Sequence, residues 1–495
     1  MRISRSLQLL TACVVIGASC VCCHFAPGRS NTPASIGDVA FVPPQIPKSM
    51  RVFAFVAGLD NAQSAWLGGS TGAISVDREA AIQFFDALPV DVNTTVEMVM
   101  GRELRSQRIK RGSDAPMEHE TLDSRYFVMQ RFVIEGGRTF RVVGAHSKAI
   151  AQVRNGEVVG HLIRWRRLSA PAVPTVTPMK WEAVSGVVLA RITSRFGDRG
   201  HLRDAEVVYA ENGLSVVPAY AVTVEIDTES SSVKDYDLFY VDAVAGGILQ
   251  QGPDPAELPM ECSISLAATG TNLNVDRFII GHDNDDTWRL NAARFGAAIA
   301  PANVILRHFC RGDRSRFVSN EAAFVDSSDV TLVEAHGAPG EIDIVRAFET
   351  VTLGAATRYG DGQDKHTLKL LILHVCEVVA SPADDNRWFD RWFEVFQGLH
   401  AVVGYRSVAL IADDVTPNYA ASLAAGKPVI SAWMEEIASS DKYVVQIKAD
   451  GAGGARPAGR GAAVAVCEHE NDTLANLTGA ADAQCLIVFW HSDQP

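Results

Sequence analysis

A chain of 495 residues is too long for one ordinary domain, so its length predicts two or three domains. An apolar fraction of 47% and a charged fraction of 21% are typical of a soluble globular protein, and they exclude a largely disordered chain, a fibrous rod and a polytopic membrane protein. The 45 Lys and Arg residues against 58 Asp and Glu residues give a net charge of −13. Because an acidic surface repels a phosphate backbone, we expect no nucleic-acid partner.

The first 25 residues have the pattern of an export signal. Arg2 and Arg5 precede an uncharged, mostly apolar run over residues 7–18, which is too short to remain as a membrane span. We therefore predict a signal peptide over residues 1–25 and an exported protein of the periplasm, the cell envelope or the medium. Cys20 follows small residues, as at a lipoprotein cleavage site, so a membrane tether through a lipidated Cys20 is an open alternative.

The next part of the chain predicts a tether and two small α+β modules. Residues 26–49 are rich in Pro, Ser and Thr and predict the tether. The first module, residues 50–170, contains a hairpin at Asn155-Gly156, since both residue types readily adopt positive φ. The second module, residues 179–250, begins with helical spacing over Trp181–Phe196 and continues as an antiparallel meander. Neither module combines a nucleophile with a base and an acid, so both are predicted to be binding or structural modules.

The last segment, residues 260–495, alternates strands and helices. Its strands are nearly continuous apolar runs, which indicates a mostly parallel sheet with helices on both faces. Trp388, Trp392 and Phe396 recur at i, i+4 and i+8 and predict a helix with an aromatic stripe facing the core. The fold class predicted for this segment is therefore α/β.

Five cysteines lie beyond the signal, namely Cys262, Cys310, Cys376, Cys467 and Cys485. An odd number leaves at least one thiol unpaired in an exported protein. If two disulfides form, Cys467 and Cys485 are expected to pair, because they are close in sequence within the last domain. Cys376 has the most unusual context of the five.

Two apolar strands end in side chains that are able to react together. Residues 330–335 run into His336-Gly337, and residues 368–375 run into Cys376. The forty residues between them suffice for a parallel crossover, so both strands would deliver their side chains to one carboxyl edge of the sheet. An imidazole helps to form the nucleophilic thiolate, and the N–H groups of Gly337 and Cys376 would bind the developing oxyanion. We therefore predict a His336–Cys376 dyad acting on a peptide or protein substrate, without a cofactor.

The order of apolar block, His-Gly, second apolar block and Cys resembles caspase-like cysteine peptidases, the group that includes gingipains, legumains and metacaspases. The sequence more closely resembles an uncharacterised bacterial family of exported caspase-like domains. The matching segments are residues 142–165, 209–224, 291–295, 336–337, 376–377, 396–404 and 432–433. The resemblance implies a caspase-like α/β fold and a cysteine endopeptidase with His336 and Cys376 as its dyad. Val375 and Val378 depart from the caspase pattern, which has Ala before the Cys and Gly two residues after it.

His282 and Asp385 are predicted substrate-binding residues, because they follow strand ends near the same edge; acidic groups there would favour basic substrate side chains. Two alternatives remain open. One is a catalytically inactive caspase-like protein that serves as an envelope binding module or scaffold. The other, a minor one, is a zinc-binding hydrolase. Its ligands would be His336, His374, Cys376 and, from the neighbouring strand, His400. The main expectation is that the protein binds no metal.

Overall fold

The computed structural model describes residues 71–89, 94–114, 118–135, 137–144, 146–168, 180–212, 215–227, 234–249, 272–280, 286–309, 313–344, 349–361, 367–409, 414–440 and 459–492. The predicted signal peptide and tether lie outside these residues, as do Cys20, Cys262, His282 and Cys310. Among the residues that are described, no helix is both long enough and apolar enough to cross a membrane.

The N-terminal part of the described chain consists of one helix and antiparallel strands. Its elements are α1 (Thr71–Phe85), β1 (Thr94–Lys110), β2 (Thr121–Glu135), β3 (Arg138–Val143), β4 (Ser147–Arg154) and β5 (Glu157–Trp165). Strand β2 pairs with β1, β3 and β4, and β4 pairs with β5. The predicted hairpin turn is confirmed, since Asn155 and Gly156 have φ angles of 52° and 82°.

A second helix and a meander follow. The elements are α2 (Trp181–Phe196), β6 (Gly200–Asn212), β7 (Ser215–Asp227), β8 (Lys234–Asp242) and β9 (Ile248–Leu249). Helix α2 has the predicted bounds, and its buried side chains Val184, Val188 and Ile192 recur every four residues. Strands β6, β7 and β8 are antiparallel, as predicted, and β6 also pairs with β3 in parallel.

The C-terminal part alternates strands and helices. Its elements are β10 (Asn274–Ile279), α3 (Asp286–Ile299), β11 (Ile305–Phe309), α4 (Ser315–Val318), β12 (Val330–Glu334), β13 (Gly337–Ala338), β14 (Glu341–Ile344), β15 (Glu349–Thr352), β16 (Leu370–His374), α5 (Phe389–Val395), β17 (Ala401–Tyr405), α6 (Val415–Ala424), α7 (Val429–Ser439), β18 (Gly461–Val466) and β19 (Cys485–Ser492). The α/β class predicted for this segment is confirmed.

One mixed sheet runs through the described chain in the order β11-β10-β12-β16-β17-β18-β19-β1-β2-β3-β6-β7-β8-β9. The first five strands are parallel, as the alternation of strands and helices predicts. Strands β18 and β19 then continue the sheet in antiparallel sense, and β19 pairs with β1. The C-terminal strands are therefore joined directly to the N-terminal ones.

Apolar side chains fill both faces of the parallel strands. On one face, Leu332 and Ile372 pack against helices α3, α6 and α7. On the other, Val333 and Leu371 pack against α5 and the small sheet β13-β14-β15. The predicted aromatic stripe lies in this second core, since Trp388, Trp392 and Phe396 are each fully buried.

Candidate active site

Strands β12 and β16 are adjacent and parallel, and their last residues, Glu334 and His374, are register partners. The pairing continues beyond the strands, because the Ala335 N–H donates to the His374 carbonyl at 3.4 Å. His336 and Cys376 each follow two residues after this register pair. Both residues therefore follow the adjacent ends of the two strands at the same carboxyl edge.

Helix α3 covers the face on which these side chains lie. The ring of Trp288 meets the His336 ring edge-on at a centroid distance of 5.4 Å and lies 6.2 Å from the His374 ring. Cys376 packs in the apolar cluster that contains Phe295, also on α3. The structure thus brings the two predicted dyad residues to one edge and one face of the sheet.

Gly337 allows the two strand ends to approach closely. A Cβ atom at this position would lie 2.3 Å from Val375 Cγ1 and 2.4 Å from the Glu341 carbonyl oxygen, so a side chain does not fit. The same position is 3.5 Å from the Cys376 carbonyl oxygen, which shows that the Gly337 backbone lies beside Cys376.

The hairpin that follows orients the Gly337 N–H. The Asp343 N–H donates to the His336 carbonyl at 3.0 Å, and Gly337 is paired with Ile342. In an antiparallel ladder this makes Gly337–Ile342 the pair that does not exchange hydrogen bonds, so its N–H groups point away from the partner strand. The Gly337 N–H is therefore directed away from β14.

Cys376 carries a thiol rather than a disulfide, and the residue is only 7% exposed. Its Sγ accepts a hydrogen bond from the Ala409 N–H at 3.3 Å and lies 3.7 Å from the Ala409 carbonyl oxygen. The backbone turns sharply after it, because Glu377 has a φ of 55°, a conformation that costs a non-glycine residue about 1 kcal/mol. The Glu377 N–H donates to the Ser407 carbonyl at 2.9 Å, and Val378 is fully buried. The thiol thus lies beneath the segment that follows β17.

A buried polar cluster that we did not predict as a unit lies directly below the dyad. Asn291 Nδ2 donates to Glu334 Oε1 at 2.9 Å, contacts His374 Nδ1 at 3.3 Å and lies 3.1 Å from Thr416 Oγ1. His374 Nδ1 is 3.4 Å from Glu334 Oε2. All four residues are buried, and they link β12, β16, α3 and α6. The sequence signal was a polar residue ending each of two otherwise apolar strands.

Asp385 stabilises a turn. Its Oδ1 accepts a hydrogen bond from the Arg387 N–H at 2.9 Å, and its Oδ2 lies 3.8 Å from Arg391. Neighbouring Asp384 forms a bidentate ion pair with Arg406 at 2.7 and 2.8 Å. Burial alone would raise the pKa of Asp384, but the bonds from Arg406 and Ser381 outweigh burial and lower that pKa below its usual value. Substrate contact by Asp385 stays a prediction, and His282 lies outside the described residues.

The zinc site of the minor alternative was wrong: among the described residues, His336, His374 and Cys376 do not bring three ligand atoms together, and His400 lies elsewhere. The His400 N–H donates to the Lys369 carbonyl, and β16 and β17 pair from Leu370 and Ala401 onward. His400 thus lies at the amino edge of the sheet, about 20 Å along the strands from Cys376 at roughly 3.3 Å per residue. Residues of a parallel strand's two ends do not meet, so His400 cannot ligate a metal held by Cys376.

Residues 308–461 match the family model described as a domain of unknown function, DUF6345. The matched segment contains both His336 and Cys376, together with the strands and helices between β12 and α7. The description names no activity. A search of curated proteins finds no match to the chain.

Proposed function

We propose that this protein is an exported caspase-like cysteine peptidase, in which Cys376 is the nucleophile and His336 the general acid and base. The observation that carries the proposal is the parallel pairing of β12 and β16, whose adjacent ends precede His336 and Cys376 at the same carboxyl edge. The carboxyl edge is where open α/β sheets bind their ligands. The resemblance to caspase-like peptidases supports the same two residues.

The proposed reaction has two stages. The Cys376 proton passes to His336 as the sulfur attacks the peptide carbonyl carbon, and the negative charge develops on the carbonyl oxygen. The C–N bond then breaks, His336 gives the proton to the departing amine, and a thioester remains. In the second stage His336 removes a proton from water, which attacks the thioester carbonyl carbon; the C–S bond breaks, the carboxylic acid product leaves, and His336 returns the proton to the sulfur.

Two features of the structure serve these steps. The Gly337 N–H points away from β14 beside the Cys376 backbone, where a donor to the developing oxyanion is required. The Ala409 N–H donates to the Cys376 sulfur, a bond that a thiolate keeps, whereas the bond from the thiol to the Ala409 carbonyl oxygen must break when His336 takes the proton. For a substrate carbonyl to reach this sulfur, the Ala409 backbone must move aside, because it contacts the buried Cys376 sulfur.

A specific observation favours the second candidate, an inactive caspase-like scaffold. Cys376 is buried, and Val378 fills the position where the caspase pattern has Gly. A closed turn of this kind holds the strand end in place whether or not the thiol reacts. The experiment must therefore separate a reactive dyad from a packed cysteine.

A peptide-derived electrophile with a basic side chain beside its reactive carbon separates the two. Intact mass after incubation with the full chain reports the labelling rate, and peptide mapping reports the labelled residue. We expect labelling at Cys376, none in Cys376→Ala, and a rate about 100-fold lower in His336→Ala. The matched control is His201→Ala, which removes an exposed histidine from β6 and should leave the rate unchanged.

Two outcomes contradict the peptidase. One is equal labelling of the wild type and His336→Ala, which would show that the imidazole does not act on the thiol. The other is a Cys376 that reacts with iodoacetamide only after denaturation, which is the result expected of the scaffold.

A further inference from the structure

A second group of metal-binding side chains lies at the opposite, amino edge of the sheet. It consists of His400, just before β17, with His469 and Asp472 in the loop between β18 and β19. One donor atom from each of the three lies within 4.8 Å of the other two. His400 and Asp472 are buried, and the His469 side chain is 31% exposed.

The loop that carries two of these residues is firmly held. The disulfide between Cys467 and Cys485, which the sequence predicted, closes it. The Asp472 carbonyl accepts a hydrogen bond from the Val429 N–H at 2.7 Å, and Asp472 Oδ1 accepts one from Asn476 Nδ2 at 3.2 Å. The donors are therefore positioned by the fold.

The hydrogen bond of His400 on its other side directs a lone pair into the cluster. His400 Nε2 lies 3.0 Å from the Gly479 carbonyl oxygen, which only accepts, so Nε2 carries the ring proton. In the neutral imidazole, Nδ1 then has a lone pair, and it faces Asp472 Oδ2 at 2.6 Å. This short contact needs a positive charge between the two atoms, which either a second ring proton or a metal ion supplies. A histidine N–H bonded to a backbone carbonyl is the usual support of a metal-binding histidine.

The second histidine meets the same carboxylate. His469 Nδ1 lies 2.8 Å from Asp472 Oδ2, and the two imidazole rings are 4.2 Å apart. One divalent cation between the two Nδ1 atoms and Oδ2 satisfies all three donors at once.

We propose that His400, His469 and Asp472 form a binding site for a divalent transition metal, with Zn²⁺ as the ion that best suits two imidazoles and one carboxylate. Three protein ligands leave a fourth position for water or a ligand. Tetrahedral Zn²⁺ separates its ligand atoms by roughly 3.3 Å, so metal binding opens the two N–O contacts by about half an ångström. The partly exposed His469 side chain gives the ion its path from solvent. The site is independent of Cys376 and of the proposed peptidase activity.

Calorimetric titration of the chelator-treated full chain with Zn²⁺ tests the site, and Co²⁺ titration followed by visible absorption reports the ligand geometry. We expect one Zn²⁺ per chain, with binding at least about 100-fold weaker in His469→Ala and in Asp472→Asn. His469→Ala should fold, because its side chain is partly exposed, and circular dichroism verifies this. His201→Ala is the matched control, since it removes an exposed histidine that lies 3.0 Å from Asp227 and should bind Zn²⁺ as the wild type does.

Thermal unfolding gives a readout besides titration. Zn²⁺ should raise the unfolding temperature of the wild type and of His201→Ala, but not that of His469→Ala. Absence of Zn²⁺ binding by the wild type, or equal binding by wild type and Asp472→Asn, overturns the proposal. Electrophile labelling of Cys376 in His469→Ala should remain as in the wild type. The metal site and the peptidase activity are therefore tested separately, and failure of one does not decide the other.

Discussion

Replacing Gly337 by Ala tests the close approach on which the candidate active site depends. The new Cβ would lie 2.3 Å from Val375 Cγ1 and 2.4 Å from the Glu341 carbonyl oxygen, well inside van der Waals contact. Neither neighbour can yield easily, because Val375 is fully buried and the Glu341 oxygen belongs to the backbone of β14. Overpacking of this kind costs about 1–3 kcal/mol, and here it would separate His336-Gly337 from Cys376.

Denaturant unfolding followed by tryptophan fluorescence measures the cost of Gly337→Ala. The control is Gly186→Ala, because Gly186 is exposed in α2 with no atom within 4 Å of a new Cβ. We expect the control to stabilise the protein by about 0.5–1 kcal/mol through helix propensity, whereas Gly337→Ala destabilises it and slows labelling of Cys376. A Gly337→Ala protein with wild-type stability and wild-type labelling would refute the packing described for the two strand ends.

Three further substitutions test other parts of the structure. Burial raises the pKa of Asp326 to about 7, so the folded state keeps a proton that the unfolded state loses above about pH 4. The free energy of unfolding should therefore fall as the pH rises from about 5 to 8, by about 2 kcal/mol more in the wild type than in Asp326→Asn. Urea unfolding at each pH measures this difference. The Cys467–Cys485 disulfide closes a loop with a sequence separation of 18, so the double serine variant should lose about 3 kcal/mol of unfolding free energy. Thermal unfolding of the wild type with and without reductant checks this. Asn291→Ala leaves the buried Glu334 without its amide donor and should cost about 2 kcal/mol in denaturant unfolding; a loss below 0.5 kcal/mol, roughly the scatter of surface substitutions, would contradict the buried bond.

Elements with a local cause were predictable from the sequence. Asn155-Gly156 specifies its hairpin because both residues adopt positive φ, and Trp181–Phe196 specifies its helix through apolar residues four apart. The apolar runs that became β12 and β16 were also recognisable, because a strand buried on both faces has little room for polar side chains. These runs placed His336 and Cys376 at strand ends.

Features that depend on distant packing were not predictable. The pairing of β19 with β1 joins residues separated by nearly the whole described chain, for example Glu103 with Ser492, and no local pattern specifies such a partner. The contact between Ala409 and the Cys376 sulfur was unpredictable for the same reason, since Ala409 follows a different strand, β17. Helix α5 (Phe389–Val395) is shorter than the stripe from Trp388 to Phe396 predicted, and Asp384 and Asp385 bond within turns before it begins.

The register of β12 and β16 needs a cause of its own, because apolar side chains alone define it poorly. A slip of one residue would exchange one apolar residue for another along most of both strands, yet it would move His336 to the opposite face from Cys376. Glu334 and His374 remove this freedom, since a buried carboxylate and imidazole must keep their partners, and Asn291 holds both. The polar cluster below the dyad therefore acts as a positioning device. It stabilises the register in which the ends of β12 and β16 lie side by side, and this gives a physical reason for polar residues at the ends of two apolar strands.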